Sequence, residues 1–393
     1  MVREIAITFY LFVFRVLFSL CQLFPQKKKT TCVASFGDNI FYTVNALEKQ
    51  FDDYEIVILK TSHCKLNFSE SGKRTVLIFE IKKIDHWIRS IYHLATSEKV
   101  FVDNYYGFLA AAPFKANVQC IQLWHAAGAI KKFGWQDPLI LNRSPRAHKR
   151  FQNVYQRFDK VVVGSEHMAN IFKASFGLTD KNILRTGIPR TDFLFDHAAM
   201  NEVKQSFADT FPVIKEKKVI LYAPTYRDHA LDMADLALDL DKMYRKLKHS
   251  YVLFLRLHPA VNETFENKFP GFVFNVSNYH NVNHLLVIAD LLLTDYSSIP
   301  FEFALLHKPM VFFAYDLETY ADEKGFWYDY EDLVPGPIVK TTQELIDVVR
   351  NNAFDMERIK AFAREWNQYS NGNASKQLIE AVFMADKQHT KAR

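Results

Sequence analysis

The chain has 393 residues, 49% of them apolar and 24% charged, a balance that excludes a disordered protein and allows two ordinary domains. The net charge of +5 is too small to indicate a nucleic-acid-binding protein by itself. The four cysteines (Cys21, Cys32, Cys64 and Cys120) form no CxxC pair and no zinc ligand set, so we expect a reducing compartment and no metal site.

The first predicted element is an apolar helix over residues 5–24, followed by the triplet Lys27, Lys28 and Lys29. Polar side chains recur along it at helical spacing: Glu4, Thr8, Arg15, Ser19, Gln22 and Gln26. This pattern favours a membrane-associating amphipathic helix over residues 1–26, lying in the interface with its lysines on anionic head groups. A single transmembrane anchor and a buried structural helix are the alternatives.

From residue 31 onward, short apolar strands alternate with helical patterns, which predicts parallel sheets covered by helices. Strands are predicted in the first half at residues 31–35, 54–59, 75–79, 100–102, 118–123 and 160–164. A polar helix at 196–217 separates the halves. The second half has predicted strands at 219–223, 251–257, 272–276, 291–294 and 310–313, and helices at 231–249, 282–289, 299–306, 342–351, 355–369 and 375–386.

These elements predict an α/β fold of GT-B type, with two Rossmann-like doubly wound domains facing a central cleft, plus the N-terminal membrane-associating helix. We expect the domains at residues 27–205 and 206–370, and a C-terminal helix at 371–393. Ligands of such sheets bind beyond the carboxyl ends of the strands. The polar motifs of this sequence fall at those ends.

The segment QLWHAAGAIKKFG, residues 122–134, places Trp124 and His125 directly after a predicted strand. A neutral imidazole is a suitable general base near pH 7. Gly128, Lys131 and Lys132 behind it suit an anion. A structural histidine at a strand end is the alternative.

Arg256 and His258 alternate on one side of a strand in LRLHP, so both could reach a diphosphate. A solvent-facing edge strand is the alternative. Asp295, Ser297 and Ser298 open a helix after another strand, where hydroxyls and free amides suit a phosphate. The alternative there is a plain helix cap.

Glu302, one turn further along, is expected either to accept hydrogen bonds from ribose or to be a solvated acid. Two loops add Pro224, Thr225 and Arg227 (in YAPTYR) and Arg190 (in TGIPRTD). Both arginines offer forked donors for phosphate, with Arg190 favoured; an inter-domain salt bridge is the alternative.

Several other patterns carry no catalytic prediction. The DLD at residues 239–241 is expected on a solvated helix face, and no Walker, GxGxxG or nucleophile-elbow motif occurs. A basic run is best interpreted as a helix surface in contact with lipid phosphates. Its members are Arg143, Arg146, Lys149, Arg150 and Arg157.

Taken in order, the motifs WHAAGAIKKFG, TGIPRTD, YAPTYR, LRLHP and TDYSSIPFEFALLHKP resemble the CDP-glycerol glycerophosphotransferases of wall teichoic acid synthesis, most closely the primase branch. The match runs to about residue 330. The WHAAG form departs from the WHGTP form of the polymerase branch.

The resemblance implies catalytic roles for His125, as base, and His258, and no metal or other cofactor. It also implies a set of donor-binding residues, with Lys131, Lys132, Arg227 and Asp295 as secondary candidates. The donor-binding set is Trp124, Gly128, Arg190, Pro224, Thr225, Arg256, His258, Ser297, Ser298 and Glu302.

The resemblance further implies that glycerol phosphate passes from CDP-glycerol, held by the second domain, to an acceptor held by the first. That acceptor is an undecaprenyl-diphosphate-linked ManNAc-GlcNAc disaccharide, and CMP is released. The expected location is peripheral, on the cytoplasmic face of the bacterial membrane, with a homo-oligomer or a teichoic acid synthesis complex left open. A chain-extending polymerase, a nucleotide-sugar glycosyltransferase of the same fold and a non-catalytic membrane adaptor are the competing functions.

Overall fold

The computed structural model describes residues 2–225, 237–257 and 267–390, which divide into two compact units. Unit 1 contains the chain up to His125, the stretch Phe133–Asp192 and the chain from Tyr369 onward. Unit 2 contains Ala126–Lys132 and Phe193–Gln368.

Unit 1 is built on seven parallel strands in the order β3-β2-β1-β4-β5-β6-β7. The strands are β1 (Lys29–Ala34), β2 (Glu55–Lys60), β3 (Arg74–Ile78), β4 (Lys99–Val102), β5 (Gln119–Gln122), β6 (Lys160–Val162) and β7 (Ile183–Leu184). Every residue of β1 and β4 is buried, as expected for central strands covered on both faces. The helices are α1 (Val2–Cys21), α2 (Asp38–Gln50), α3 (Ile84–Thr96), α4 (Pro145–Tyr155), α5 (Glu166–Phe176) and α14 (Ala374–Thr390).

Unit 2 is built on six parallel strands in the order β10-β9-β8-β11-β12-β13. The strands are β8 (Lys218–Ala223), β9 (Tyr251–Leu255), β10 (Val273–Asn275), β11 (Leu291–Thr294), β12 (Met310–Phe313) and β13 (Ile338–Val339). Its helices are α6 (His197–Thr210), α7 (Leu240–Leu247), α8 (Val282–Ile288), α9 (Ile299–Phe303), α10 (Leu317–Lys324), α11 (Tyr330–Leu333), α12 (Thr342–Asn351) and α13 (Met356–Trp366).

In each sheet the first strand in the chain lies inside the sheet. The second and third strands lie on one side of it, and the later strands lie on the other side. The reversal lies between β1 and β4 in unit 1 and between β8 and β11 in unit 2. This order is that of a Rossmann-like doubly wound sheet, so the predicted α/β fold of GT-B type is confirmed.

The units divide elsewhere than at the boundaries expected from the sequence. The expected junction at 205/206 falls inside α6, whose Phe207 packs on Tyr279 of unit 2 with ring centroids 5.0 Å apart. The division lies instead after Asp192, and the C-terminal helix α14 belongs to unit 1. The polar helix predicted at residues 196–217 suggested the junction, but a helix that packs one face on its own unit is equally polar on its outer face.

Helix α1 lies along unit 1 with one side buried and the other exposed. Phe14 and Phe18 are fully buried, with ring centroids 5.3 Å from Phe108 and 5.4 Å from Phe114, respectively. Among the described residues, Arg3–Cys21 is the one helix long and apolar enough to span a membrane, and only 11% of its most apolar stretch is buried. Helix α1 is therefore not a buried structural helix.

The lysines of the triplet after α1 lie in different environments. Lys29 begins β1 and is fully buried, and its Nζ donates to Thr96 Oγ1 at 2.7 Å. Lys28 is paired with Asp53. The expectation that all three lysines meet lipid head groups is wrong for Lys29, because it is already part of the sheet.

Candidate functional site

The predicted Trp-His motif follows β5 through an unusual backbone turn. Trp124 has a φ of 56°, in the left-handed region that a bulky residue adopts only when its surroundings hold it there. Its backbone N–H donates to Gln122 Oε1 at 2.8 Å, and its carbonyl accepts from Asn39 Nδ2 at 2.9 Å. Two side-chain hydrogen bonds therefore fix the turn that presents His125.

Four aromatic rings stack in a column through this turn. The His125 ring lies 4.1 Å from Phe36 at an interplanar angle of 10°, and 4.5 Å from Trp124 at 27°. Trp124 in turn stacks on Phe133 at 5.1 Å. The imidazole is thus held between two rings, which restricts its orientation.

The hydrogen bonding of His125 determines its tautomer. Its Nδ1 lies 3.3 Å from the carbonyl oxygen of Asp103, and because a carbonyl only accepts, this contact requires a proton on Nδ1. The lone pair then lies on Nε2. Burial, reinforced by the positive charge of Arg190, lowers the pKa of His125 to about 4. The ring is therefore neutral at pH 7, as a general base must be.

Asp103 is a residue of this site that the sequence analysis missed. It directly follows β4, is fully buried, and accepts hydrogen bonds from the backbone N–H of Ser35 (2.9 Å), Phe36 (3.0 Å) and Gly37 (2.8 Å). Tyr106 Oη donates a further bond at 2.7 Å. Burial raises the pKa of the Asp103 carboxyl, against the opposing effect of these donors. An acid directly after an apolar strand was the available signal.

Arg190 lies in the same unit and is connected to the Trp-His turn. It is 7% exposed, and its backbone N–H donates to Asn39 Oδ1 at 3.0 Å. Its guanidinium is 3.8 Å from the Asp38 carboxylate. Asn39, also missed from the sequence, therefore joins the TGIPRTD loop to the turn that carries His125, one amide atom to each.

A second group of predicted residues gathers at the strand reversal of unit 2. Pro224 and Thr225 follow β8, and Asp295 follows the neighbouring strand β11. The backbone N–H of Thr225 donates to Asp295 Oδ1 at 2.8 Å, and Thr294 Oγ1 donates to the Ala223 carbonyl at 2.6 Å. The carboxyl ends of β8 and β11 are thus tied together where ligands of doubly wound sheets bind.

The residues that follow Asp295 have different environments. Ser297 Oγ accepts from the Ile299 N–H at 3.3 Å, whereas Ser298 makes no side-chain capping bond to the helix that it precedes. Glu302 is only 2% exposed, so the alternative of a solvated acid is wrong.

Arg256 follows β9, beside β8; its backbone N–H donates to the Tyr222 carbonyl at 2.9 Å, and its side chain is half-buried. His258 and Arg227 lie outside the described residues. The convergence of His125 and His258 therefore stays a prediction.

The segment after His125 packs within unit 2. Gly128 lies against the Phe301 ring so closely that a Cβ atom would overlap it. Lys131 pairs with Phe326 in an antiparallel bridge, and its Nζ donates to Tyr320 Oη at 3.3 Å. The backbone N–H of Lys132 donates to the Gly325 carbonyl at 2.9 Å. These contacts give the segment a structural role beside the expected anion contacts, which stay predictions.

No group of three or more His, Cys, Asp or Glu side chains could hold a metal ion within residues 2–225, 237–257 and 267–390. Asp239 instead caps α7 by accepting from the Lys242 N–H at 2.9 Å. Asp241 pairs with Arg245 at 2.7 Å on the solvated face of the helix.

Comparison with known proteins identifies the family of the chain. Residues 17–384 match the family model described as CDP-Glycerol:Poly(glycerophosphate) glycerophosphotransferase. The chain is 35% identical to the teichoic acid glycerol-phosphate primase of Bacillus subtilis strain 168, over 97% of this chain and 98% of that protein. Identity to the primase of Bacillus spizizenii strain W23 is 36%, with coverage of 96% and 97%.

Among solved structures, the wall teichoic acid polymerase TagF shares the fold, with a TM-score of 0.81, 24% identity and 99% coverage of both chains. The family match extends over nearly the whole sequence and includes each of the motifs described above. The chain belongs to the CDP-glycerol:poly(glycerophosphate) glycerophosphotransferase family.

Proposed function

We propose that the chain primes wall teichoic acid synthesis by transferring glycerol phosphate from CDP-glycerol to ManNAc-GlcNAc on undecaprenyl diphosphate, releasing CMP. The observation that carries the proposal is the end-to-end similarity to two glycerol-phosphate primases at 35% and 36% identity. Identity to the teichoic acid poly(glycerol phosphate) polymerases of the same two organisms is lower, at 29% and 28%. A chain-extending polymerase is the second candidate because it belongs to the same family.

The proposed chemistry uses His125 as the base. The acceptor hydroxyl gives its proton to Nε2, the nitrogen left with a lone pair by the Asp103 contact. The hydroxyl oxygen attacks the phosphorus next to glycerol, a new P–O bond forms, and the bond from that phosphorus to CMP breaks. Arg256 and the groups at Ser297 and Ser298 stabilise the charge that develops on the diphosphate.

The polar ends of β8, β9 and β11 support the assignment of unit 2 to CDP-glycerol. Thr225, Asp295 and Ser297 lie at the reversal of strand order, where doubly wound sheets bind nucleotides. Arg256 follows the strand beside them and supplies a permanent positive charge. Unit 1, which holds His125, is assigned to the acceptor.

The direct experiment measures CMP release and product length with CDP-glycerol and a synthetic prenyl-diphosphate disaccharide. We expect one glycerol phosphate per acceptor; long products would favour the polymerase, and turnover of UDP-sugars instead would favour a glycosyltransferase. No CMP release with any donor would favour a non-catalytic adaptor. His125→Ala should lower the rate by about two to four decades. His63→Ala, at an exposed histidine, is the control.

We further assign the chain to the cytoplasmic membrane face, as a peripheral protein held by α1. Both ends of this region are attached to unit 1: Glu4 pairs with Arg150 at 3.1 Å, and Gln22 Nε2 donates to the Pro113 carbonyl at 2.7 Å. A docked helix with an exposed apolar face suits the membrane interface better than a span. The exposed side chains are Ile5, Phe9, Phe12, Val16 and Leu20.

Vesicle sedimentation tests this location. Phe9→Ser with Phe12→Ser should weaken binding to phosphatidylglycerol vesicles by about tenfold or more, because two exposed rings leave the interface. Phe195→Ser, at an exposed phenylalanine of unit 2, is the control. Point changes are preferable to deleting the helix, since deletion would uncover Phe108 and Phe114. Unchanged binding would contradict the proposal.

A further inference from the structure

Unit 1 contains an open groove of about 600 Å³ that none of the predicted site residues lines. One side is a stripe at helical spacing along α4 and its C-cap residue, formed by His148, Gln152 and Gln156. The other side carries Trp135. The volume lies within the range of about 300–1,000 Å³ that small-molecule sites occupy.

The walls of the groove have the chemistry of a saccharide site. Three rings of α4 stand nearly perpendicular to the Trp135 indole and hold it in place: His148 at 6.1 Å, Phe151 at 6.3 Å and Tyr155 at 5.6 Å. Such a fixed indole offers an apolar surface to the C–H face of a sugar. The exposed amides of Gln152 and Gln156 supply donors and acceptors for hydroxyl and acetamido groups.

His148 adds a defined acceptor. Its Nε2 lies 2.8 Å from the Ile140 carbonyl, so Nε2 carries the proton and Nδ1 keeps a lone pair in the neutral ring. The groove therefore presents aromatic, amide and imidazole groups together, which suits a polar neutral ring better than a lipid tail.

The surroundings of the groove add a positive charge and an apolar surface. Helix α4 contains Arg146, Lys149 and Arg150 and no acidic residue, and Lys149 lies in the groove wall. Just before the helix, Leu141 is 85% exposed. Arg150 ties the same helix to Glu4 of α1, whose outer face is apolar. Apolar and cationic side chains therefore lie on and beside the helix that lines the groove.

The groove is also continuous with the wall of the Trp-His turn. A smaller pocket of about 190 Å³ shares Tyr155 and Phe176 with the groove and has Trp124 in its lining. Trp124 stacks on His125 at 4.5 Å. The groove therefore adjoins, through the smaller pocket, the aromatic wall that includes Trp124 beside the proposed base.

We infer that this groove binds the saccharide of the lipid-linked acceptor, with the diphosphate at Lys149 and the prenyl chain on the apolar surface beside α4. The inference rests on the proposed function for the identity of the ligand. An acceptor of that kind joins an apolar, an anionic and a polar ring portion, and α4 and its flanks carry a side chain suited to each: Leu141, Lys149 and Gln152.

The test compares wild type with the double variant Gln152→Ala and Gln156→Ala, both at exposed positions that should not affect folding. Gln205→Ala on α6, an exposed helical glutamine of unit 2, is the matched control. The KM for a short-prenyl diphosphate disaccharide should rise about tenfold or more in the double variant, because two hydrogen-bonding groups are lost. The KM for CDP-glycerol should stay within about twofold. Trp135→Ala should act in the same direction.

Binding of the disaccharide compound without CDP-glycerol, followed by protein fluorescence, separates the two proposals. Wild type should bind it about tenfold more tightly than the same prenyl diphosphate without sugar, and the double variant should lose that preference. Equal binding of both compounds, or an unchanged acceptor KM in the double variant, would overturn the groove assignment. A wild type that binds the disaccharide but transfers nothing would refute the proposed function and leave the groove assignment standing.

Discussion

Asn39 is the single residue on which the Trp-His turn and the Arg190 loop both depend. Its amide donates to the Trp124 carbonyl and accepts from the Arg190 N–H, and the residue is 3% exposed. Asn39→Ala leaves both partners without this amide. We expect a loss of about 1–3 kcal/mol in the free energy of unfolding, measured by urea denaturation.

The effect of Asn39 on turnover gives a second readout. Because Trp124 positions His125, Asn39→Ala should also lower the transfer rate by about tenfold or more. Asn39→Asp keeps the acceptor for Arg190 but cannot donate to Trp124, so its rate should also fall. Asn142→Ala, at an exposed asparagine, is the control. A normal rate in both Asn39 variants would show that the turn holds without this amide.

Gly128 was predicted from the sequence to contact an anion, but its packing also requires a glycine at this position. A methyl group at this position would overlap the Phe301 ring. Gly128→Ala should therefore lower the free energy of unfolding by about 1–3 kcal/mol, the usual cost of overpacking. Thermal unfolding measures it, with Gly72→Ala as control because a Cβ at Gly72 meets nothing within 4 Å. Equal melting temperatures would contradict the packing account.

At the level of elements, Asp192 connects the TGIPRTD loop to the last helix. Its two carboxylate oxygens accept from the backbone N–H of Ala374 and of Ser375, each at 2.8 Å, at the start of α14. Asp192→Ala should cost about 0.5–2 kcal/mol, the usual effect of losing a helix cap. Hydrogen exchange over residues 374–384 should increase.

The control for Asp192 is Asp209→Ala, at an exposed acid of α6. It should leave exchange in α14 unchanged. If Asp192→Ala did the same, the loop would not be holding the helix.

Most strands were predictable because the strands of parallel sheets are buried on both faces and therefore form continuous apolar runs in the sequence. Residues 291–294 and 310–313 were predicted with the observed bounds of β11 and β12. β7 and β13 were missed because each contains only two residues, and their pairing is set by neighbours distant in the chain. Element boundaries set by tertiary contact carry no local signal.

The candidate site was predictable only in part for the same reason. His125, Thr225 and Asp295 were found because they follow strands. Asn39 and Asp103 were missed because their importance lies in bonds to residues 85, 151 and 66–68 positions away. Their residue types alone are common in loops and at helix starts.

At the scale of the whole molecule, buried histidines make stability depend on pH. Burial, together with the charge of Lys29, lowers the pKa of His93 to about 4. In the unfolded chain His93 has an ordinary pKa of about 6.5. Between pH 4 and pH 6.5, roughly, His93 is therefore protonated in the unfolded chain but not in the folded protein. The contribution of His93 to stability is therefore lost as the pH falls from about 6.5 to about 4.

His93→Gln should flatten that dependence, since glutamine can still accept from Lys29 but does not titrate. Urea unfolding from pH 7 to pH 4.5 should show a shallower slope than wild type, by up to about 1.4 kcal/mol per pH unit. Asp103, whose raised pKa acts with the opposite sign, is common to both proteins and cancels in the difference. His63→Gln is the control; equal slopes for His93→Gln and wild type would contradict the account.

The stacked rings at the Trp-His turn give the protein an intrinsic fluorescence probe. Indole emission is quenched by a charged imidazolium in van der Waals contact, and Trp124 stacks directly on His125, one of the 14 histidines. The emission of Trp124 is isolated by subtracting the emission of a Trp124→Phe variant. A pH titration of this emission therefore reports whether His125 is neutral or protonated. Protonation of the proposed base can then be followed by light alone.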